Sequence, residues 1–120
     1  MRTVLVADDE LGILLALEMA LEEAGYRVVA AGNGRQAVEL AAAERPDLAL
    51  LDWMMPVMDG PAAVAALRAD PALARVPVVF MSGAPEPSLR GRVDGHAGFL
   101  QKPFRDTELL AVVRKVLEGG

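Results

Sequence analysis

Five residues of this 120-residue chain carry side chains suited to holding a cation or a phosphoryl group, and they share a context. Asp8 and Asp9, Asp52, Ser82 and Lys102 each follow or close a short apolar run. Three carboxylates brought together repel, and a like charge raises a carboxyl pKa, so keeping all three ionised at neutral pH requires positive charge among them. Lys102 supplies one such charge. A divalent metal would supply the rest, and Mg²⁺ suits the site because it prefers oxygen ligands and is commonly held by one or two carboxylates plus a phosphate. With that charge in place a carboxylate can attack phosphorus, since the incoming negative charge is neutralised as it arrives. The product would be an acyl phosphate, with Ser82 donating a hydrogen bond to the phosphoryl oxygens and Lys102 pairing with them.

Such a site needs elements that bring distant residues to one place. Short β-branched or aliphatic runs at 3–7, 27–31, 48–51, 78–81 and 98–101 alternate with longer segments of helical periodicity, the mark of a parallel sheet covered by helices on both faces. The first helix, over 11–24, has its apolar positions at Leu14, Leu17, Leu21 and Ala24 and ends at Gly25, a C-cap glycine. A second spans 34–44 and is closed by Pro46. A third runs over 61–69, with Pro61 in the first turn, where its missing N–H costs nothing. The final helix is capped by Asp106 and carries the stripe Leu109, Leu110, Val113 and Val116. Between strands four and five the pattern breaks: Pro85, Pro87, Gly91 and Gly95 fall where a fourth helix belongs, so that helix is expected to be short or loose. In an open parallel sheet, functional groups gather beyond the C-terminal ends of the strands, which is where all five residues fall.

Bulk properties narrow the classes. The length suits one domain, 1–120, and 53% hydrophobic with 24% charged residues is a globular balance. A net charge of −5, with the basic residues scattered, argues against a direct nucleic-acid surface. The absence of cysteine leaves no disulfide framework or thiolate metal site, and suits a reducing compartment. No apolar run approaches membrane-spanning length, and the N-terminal one meets Asp8-Asp9-Glu10 too soon for a signal peptide, so a cytoplasmic location is expected.

Taken in order, Asp8-Asp9-Glu10, the run from Asp52 through Trp53-Met54-Met55-Pro56-Val57-Met58 to Asp59-Gly60, the step Met81-Ser82-Gly83 and the run Lys102-Pro103-Phe104 resemble the receiver domain of bacterial response regulators. The resemblance covers essentially the whole chain. It implies a flavodoxin-like α/β fold, a doubly wound five-stranded parallel sheet in the order 2-1-3-4-5. It further implies Asp52 as phosphoacceptor, Asp9 and Asp52 as Mg²⁺ ligands, the Met54 backbone carbonyl as another, Asp8 acting through water, and Lys102 on the phosphoryl group. Ser82 and Phe99 would form the family's switch pair, read out on the face of the fourth helix, fifth strand and final helix. The implied partners are a sensor histidine kinase or a histidine phosphotransfer protein, with a phosphorylation-dependent homodimer open to it. Phe99 departs from the tyrosine often found there, so an outward rotamer would expose pure hydrocarbon. Met54 and Ala84, positions that tune acyl-phosphate hydrolysis in the family, offer no side chain to orient water, so a long-lived phosphorylated state is expected. The wording around Ser82 and Lys102 resembles hybrid-kinase receivers, leaving stand-alone, excised and hybrid contexts open.

Plainer readings compete. Asp59-Gly60 is an ordinary turn dipeptide and is expected to shape a loop. Ser82 alone could be a cap, Lys102-Pro103 a surface lysine before a turn, and His96, without a partner at ligand spacing, has no assigned role. The rival from another class is Gly32-Asn33-Gly34-Arg35-Gln36-Ala37, which fits the G-x-G-x-x-A pattern of dinucleotide-binding domains with Asp52 downstream. It lies in the second βα unit where the fingerprint belongs in the first, and leaves Asp8, Asp9 and Lys102 unexplained.

Overall fold

The computed structural model describes residues 1–85 and 97–118. Its elements are β1 (Thr3–Ala7), α1 (Leu11–Glu23), β2 (Arg27–Ala31), α2 (Gly34–Glu44), β3 (Leu48–Asp52), α3 (Gly60–Ala69), β4 (Val78–Ser82), β5 (Gly98–Gln101) and α4 (Asp106–Glu118). All five strands are parallel, in the order β2-β1-β3-β4-β5. The parallel sheet is the one expected from the alternation of short apolar runs and amphipathic segments, and its order is the flavodoxin-like one that the receiver resemblance implied.

The core follows from the two-residue period of the strands. Val4, Val6, Leu48, Leu50, Val79 and Met81 point to one face, where they meet Leu14, Leu17 and Leu21 of α1 and Leu109 and Val113 of α4. Their neighbours Leu5, Ala7, Ala49, Leu51, Val78 and Phe80 point to the other, against Ala37 and Ala41 of α2 and Ala63, Val64 and Leu67 of α3. Every residue of β3 and of β4 is buried. Both faces being covered explains why these strands read as continuous apolar runs instead of alternating ones. Each fully buried Val, Leu, Met or Phe side chain stabilises the fold by about 1.5–3 kcal/mol.

Element ends differ slightly from the sequence expectation. Strands three and four each extend one residue further, so Asp52 closes its strand instead of following it, and Ser82 is the last residue of β4. Helix α2 ends before Pro46, with Arg45 in a left-handed conformation (φ 48°) and its N–H donating to the Ala41 carbonyl at 2.9 Å. Asp106 is not the cap of the final helix but its first residue, and the Arg105 N–H donates to Glu108 Oε1 at 3.1 Å. Gly25 has φ 98°, the left-handed geometry a side chain rarely adopts, just beyond the Ala24 cap. The expected short fourth helix falls largely on 86–96, outside the described residues, as does His96.

Candidate phosphoryl-transfer site

Parallel in-register pairing delivers the acidic residues to one edge of the sheet. Ala7 pairs with Leu51, so the next residues of their strands, Asp8 and Asp52, emerge side by side. Asp52 pairs with Met81 and Ser82 with Gln101, which places Ser82 and Lys102 one step further along that edge. Asp8 and Asp52 are buried, 1% and 7% exposed, while Asp9 is exposed. A carboxylate oxygen from each of the three lies within 4.8 Å of the others.

Lys102 reaches into this cluster. Its Nζ donates to Asp8 Oδ2 at 2.7 Å and stands 3.3 Å from Asp52 Oδ1. The lysine is anchored from behind, its backbone N–H donating to the Ser82 carbonyl at 2.7 Å. The peptide bond from Lys102 to Pro103 is cis. Burial works against the ammonium, but its hydrogen bond to Asp8 and the charges of Asp52 and Asp8 outweigh that and raise its pKa. One cation does not balance the cluster. Asp52 is pushed up to about 6 from 3.8, first by burial and then by the neighbouring charge of Asp8, with Lys102 pulling the other way.

The remaining predicted residues take varied positions. Ser82 is buried, and its Oγ accepts the N–H of Ala84 at 3.0 Å. Met54 is 73% exposed, two residues beyond the acceptor. Phe99 is half-buried against the core under α2 and α3, so its ring is neither fully sequestered nor free. Asp59 caps α3, accepting the Ala62 N–H on Oδ1 at 2.9 Å. The pairing of Lys102 with Asp8 ahead of Asp52 escaped the sequence reading, since residue types fix neither distance.

The Gly32-Asn33-Gly34 motif is tied into the protein's own hydrogen bonds. Asn33 caps α2, its Oδ1 accepting the Gln36 N–H at 2.8 Å, while Gln36 Oε1 accepts the Gly32 N–H at 2.7 Å. The Gly34 N–H donates to the Met58 carbonyl at 3.0 Å. The Gly32, Gly34 and Gln36 amides, which a pyrophosphate would need, are therefore already used by the protein.

Comparison with known proteins decides the family. The model of the response regulator receiver domain matches residues 4–114. This chain belongs to the receiver family. A solved receiver, the chemotaxis response regulator CheY4 of Vibrio cholerae, superimposes with a TM-score of 0.92 at 33% identity, covering 98% of this chain and 99% of that one. The receiver domain of a sensor histidine kinase from Pseudomonas aeruginosa PAO1, with magnesium coordinated in its active-site cleft, gives a TM-score of 0.85 at 30% identity over 99% of this chain and 98% of its own. Among curated relatives, the phosphate regulon transcriptional regulatory protein PhoB of Pseudomonas aeruginosa is 34% identical over 118 residues, 97% of this receiver. The chain spans about half the length of that relative, 52%. As a receiver it is a signalling domain and not an enzyme in the ordinary sense. Among the described residues no helix is long and apolar enough to cross a membrane.

Proposed function

We propose that residues 1–120 form one receiver domain that takes a phosphoryl group onto Asp52 from a phosphohistidine, on a sensor histidine kinase or a histidine phosphotransfer protein, in the cytoplasm. The observation that carries this reading is a buried carboxylate at a strand end, with two further carboxylates within 4.8 Å and a lysine ammonium 3.3 Å away. That donor set fits a hard divalent cation, because among the described residues three acids face a single ammonium and their oxygens are close enough to share one ion. Asp8, Asp9 and Asp52 would hold Mg²⁺ together with the Met54 backbone carbonyl, Asp8 acting through water. When bound, the ion neutralises charge on the arriving phosphoryl group.

In the transfer, an Asp52 carboxylate oxygen forms a bond to phosphorus as the phosphorus–nitrogen bond to the donor imidazole breaks, and the imidazole leaves with the electron pair and takes up a proton. Asp52 must be ionised to attack, so Lys102 contributes by holding its proton off and by pairing with the phosphoryl oxygens. Ser82 lies at the neighbouring strand end, where its hydroxyl can exchange its bond with Ala84 for one to phosphate. Phe99, on the adjacent strand, is the matching member of a switch pair, with output through the β5–α4 side of the domain. Met54 and Ala84 place no polar side chain to guide water, which favours a long-lived acyl phosphate; a half-life of seconds would contradict that.

Incubation with Mg²⁺ and acetyl phosphate, followed by intact mass, tests the reading. Wild type gains one phosphoryl group, and Asp52→Asn or omission of the metal prevents it. No gain in wild type under any metal condition would overturn the proposal.

A further inference from the structure

The loop joining β3 to α3, residues 53–59, carries Met54 and begins at the acceptor itself, yet it contributes little regular structure of its own. Backbone bonds hold it at defined points. The Gly60 N–H donates to the Trp53 carbonyl at 3.0 Å and closes its base. The Met58 N–H donates to the Pro56 carbonyl at 2.7 Å, a tight turn that forces Val57 between them to φ 69°. A β-branched residue resists that conformation, so the loop is held against a local preference to unwind.

What holds it comes from a different βα unit. The first N–H groups of a helix have no helical acceptor, and α2 spends that of Gly34 on the Met58 carbonyl, at 3.0 Å. The approach is possible because Gly34 has no side chain. A methyl group built there would lie 2.0 Å from the Met58 oxygen and 2.8 Å from its carbonyl carbon. These are backbone atoms, so no rotamer change relieves the clash and the loop itself has to move. The start of α2 is in turn made firm by the reciprocal bonds of Asn33 and Gln36. Met58 is half-buried against the core, which leaves little room to retreat.

We infer that Gly34 is a positioning residue for the acceptor loop: its amide and its missing side chain let α2 grip the Met58 carbonyl and fix the course of residues 53–59 beside Asp52. This gives the glycine motif of α2 a role that neither nucleotide binding nor capping accounts for. The inference rests on the reading of the acidic cluster as a Mg²⁺ site, to which the Met54 carbonyl belongs.

The test is the Mg²⁺ affinity of wild type, Gly34→Ala and Asn33→Ala, read from the fluorescence of Trp53, the single tryptophan, next to the acceptor. Gly34→Ala is expected to weaken Mg²⁺ binding at least tenfold. Asn33→Ala, which loosens the same helix end without pressing on the loop, lowers the unfolding midpoint and leaves Mg²⁺ affinity within twofold. Gly34→Ala binding Mg²⁺ as wild type does, or both variants weakening it equally, overturns the inference. Hydrogen exchange on wild type needs no variant to fold. Because coupling between two sites is reciprocal, Mg²⁺ should slow exchange of the Gly34 amide, and an unresponsive amide equally overturns the inference. Failure of wild type to bind Mg²⁺ at all is the distinct result that removes the functional reading beneath it.

Discussion

The two halves of the sheet edge are built differently. On the acceptor side, β1 and β3 are interior strands, every residue of β3 is buried, and the loop after it is fixed by backbone bonds from α2 and α3. On the other side, β5 is a four-residue edge strand of which only Leu100 is fully buried, and Phe99 sits half-covered. The half that performs chemistry is over-determined, while the half proposed to report it is lightly held. Elements that move are drawn from the low-stability end of a structure, so this division suits a switch.

The largest effect should come from removing the cation shared by both halves. Lys102→Met leaves the Asp8 and Asp52 carboxylates facing each other without their ammonium, and should cost about 3 kcal/mol of metal-free stability in urea unfolding at neutral pH. Added Mg²⁺ should restore part of it. A loss under about 1 kcal/mol would mean that the two halves are electrostatically independent.

Next in size is Asp52→Asn, with the opposite sign. Because the folded state raises this carboxyl from 3.8 to about 6, its contribution to stability is fully present below 3.8 and is lost as pH rises through about 6. Metal-free wild type should therefore lose stability over that window, and the variant should not. At neutral pH Asp52→Asn should be more stable by about 2 kcal/mol while accepting no phosphoryl group. Equal pH profiles for the two proteins would show that burial does not strain the acceptor.

Smaller still is Val57→Gly. Relieving the left-handed β-branched residue should gain up to about 1 kcal/mol, since the strain removed exceeds the backbone freedom that glycine adds to the unfolded chain. Any loss of stability would place the cause in contacts of the exposed valine side chain. Smallest is Phe99→Tyr, where a hydroxyl added to a half-exposed ring should change stability by under about 0.5 kcal/mol and leave phosphorylation by acetyl phosphate unaltered. A larger cost would mean that the reporting half is as tightly packed as the acceptor half.

Much of this was readable from residue types. The apolar runs and their spacing named the five strands, because strands buried on both faces admit little else, and a parallel sheet then forces the strand-end residues Asp8, Asp52, Ser82 and Lys102 onto one edge. What stayed hidden depends on backbone geometry and bonds, both distant and local, that residue types do not specify. Gly34 read as the start of a helix or as a nucleotide-binding glycine, because its partner, the Met58 carbonyl, is a backbone atom that every residue type possesses. Val57 gave no hint of φ 69°, since a β-branched side chain is the last to suggest it. Asp106 reads as a cap on propensity alone, yet the helix begins at it, a one-residue difference set by the Arg105–Glu108 bond.

The doubly engaged ammonium of Lys102 has a mechanical meaning as well. It is a short tether from the end of the edge strand to two interior strands, with its load divided between Asp8 at 2.7 Å and Asp52 at 3.3 Å. New negative charge on Asp52 would shift that load from the end of β1 to the end of β3, one strand nearer to β5. The outermost strand would then feel tension from a bond made two strands away, with no need for the rigid interior between them to deform.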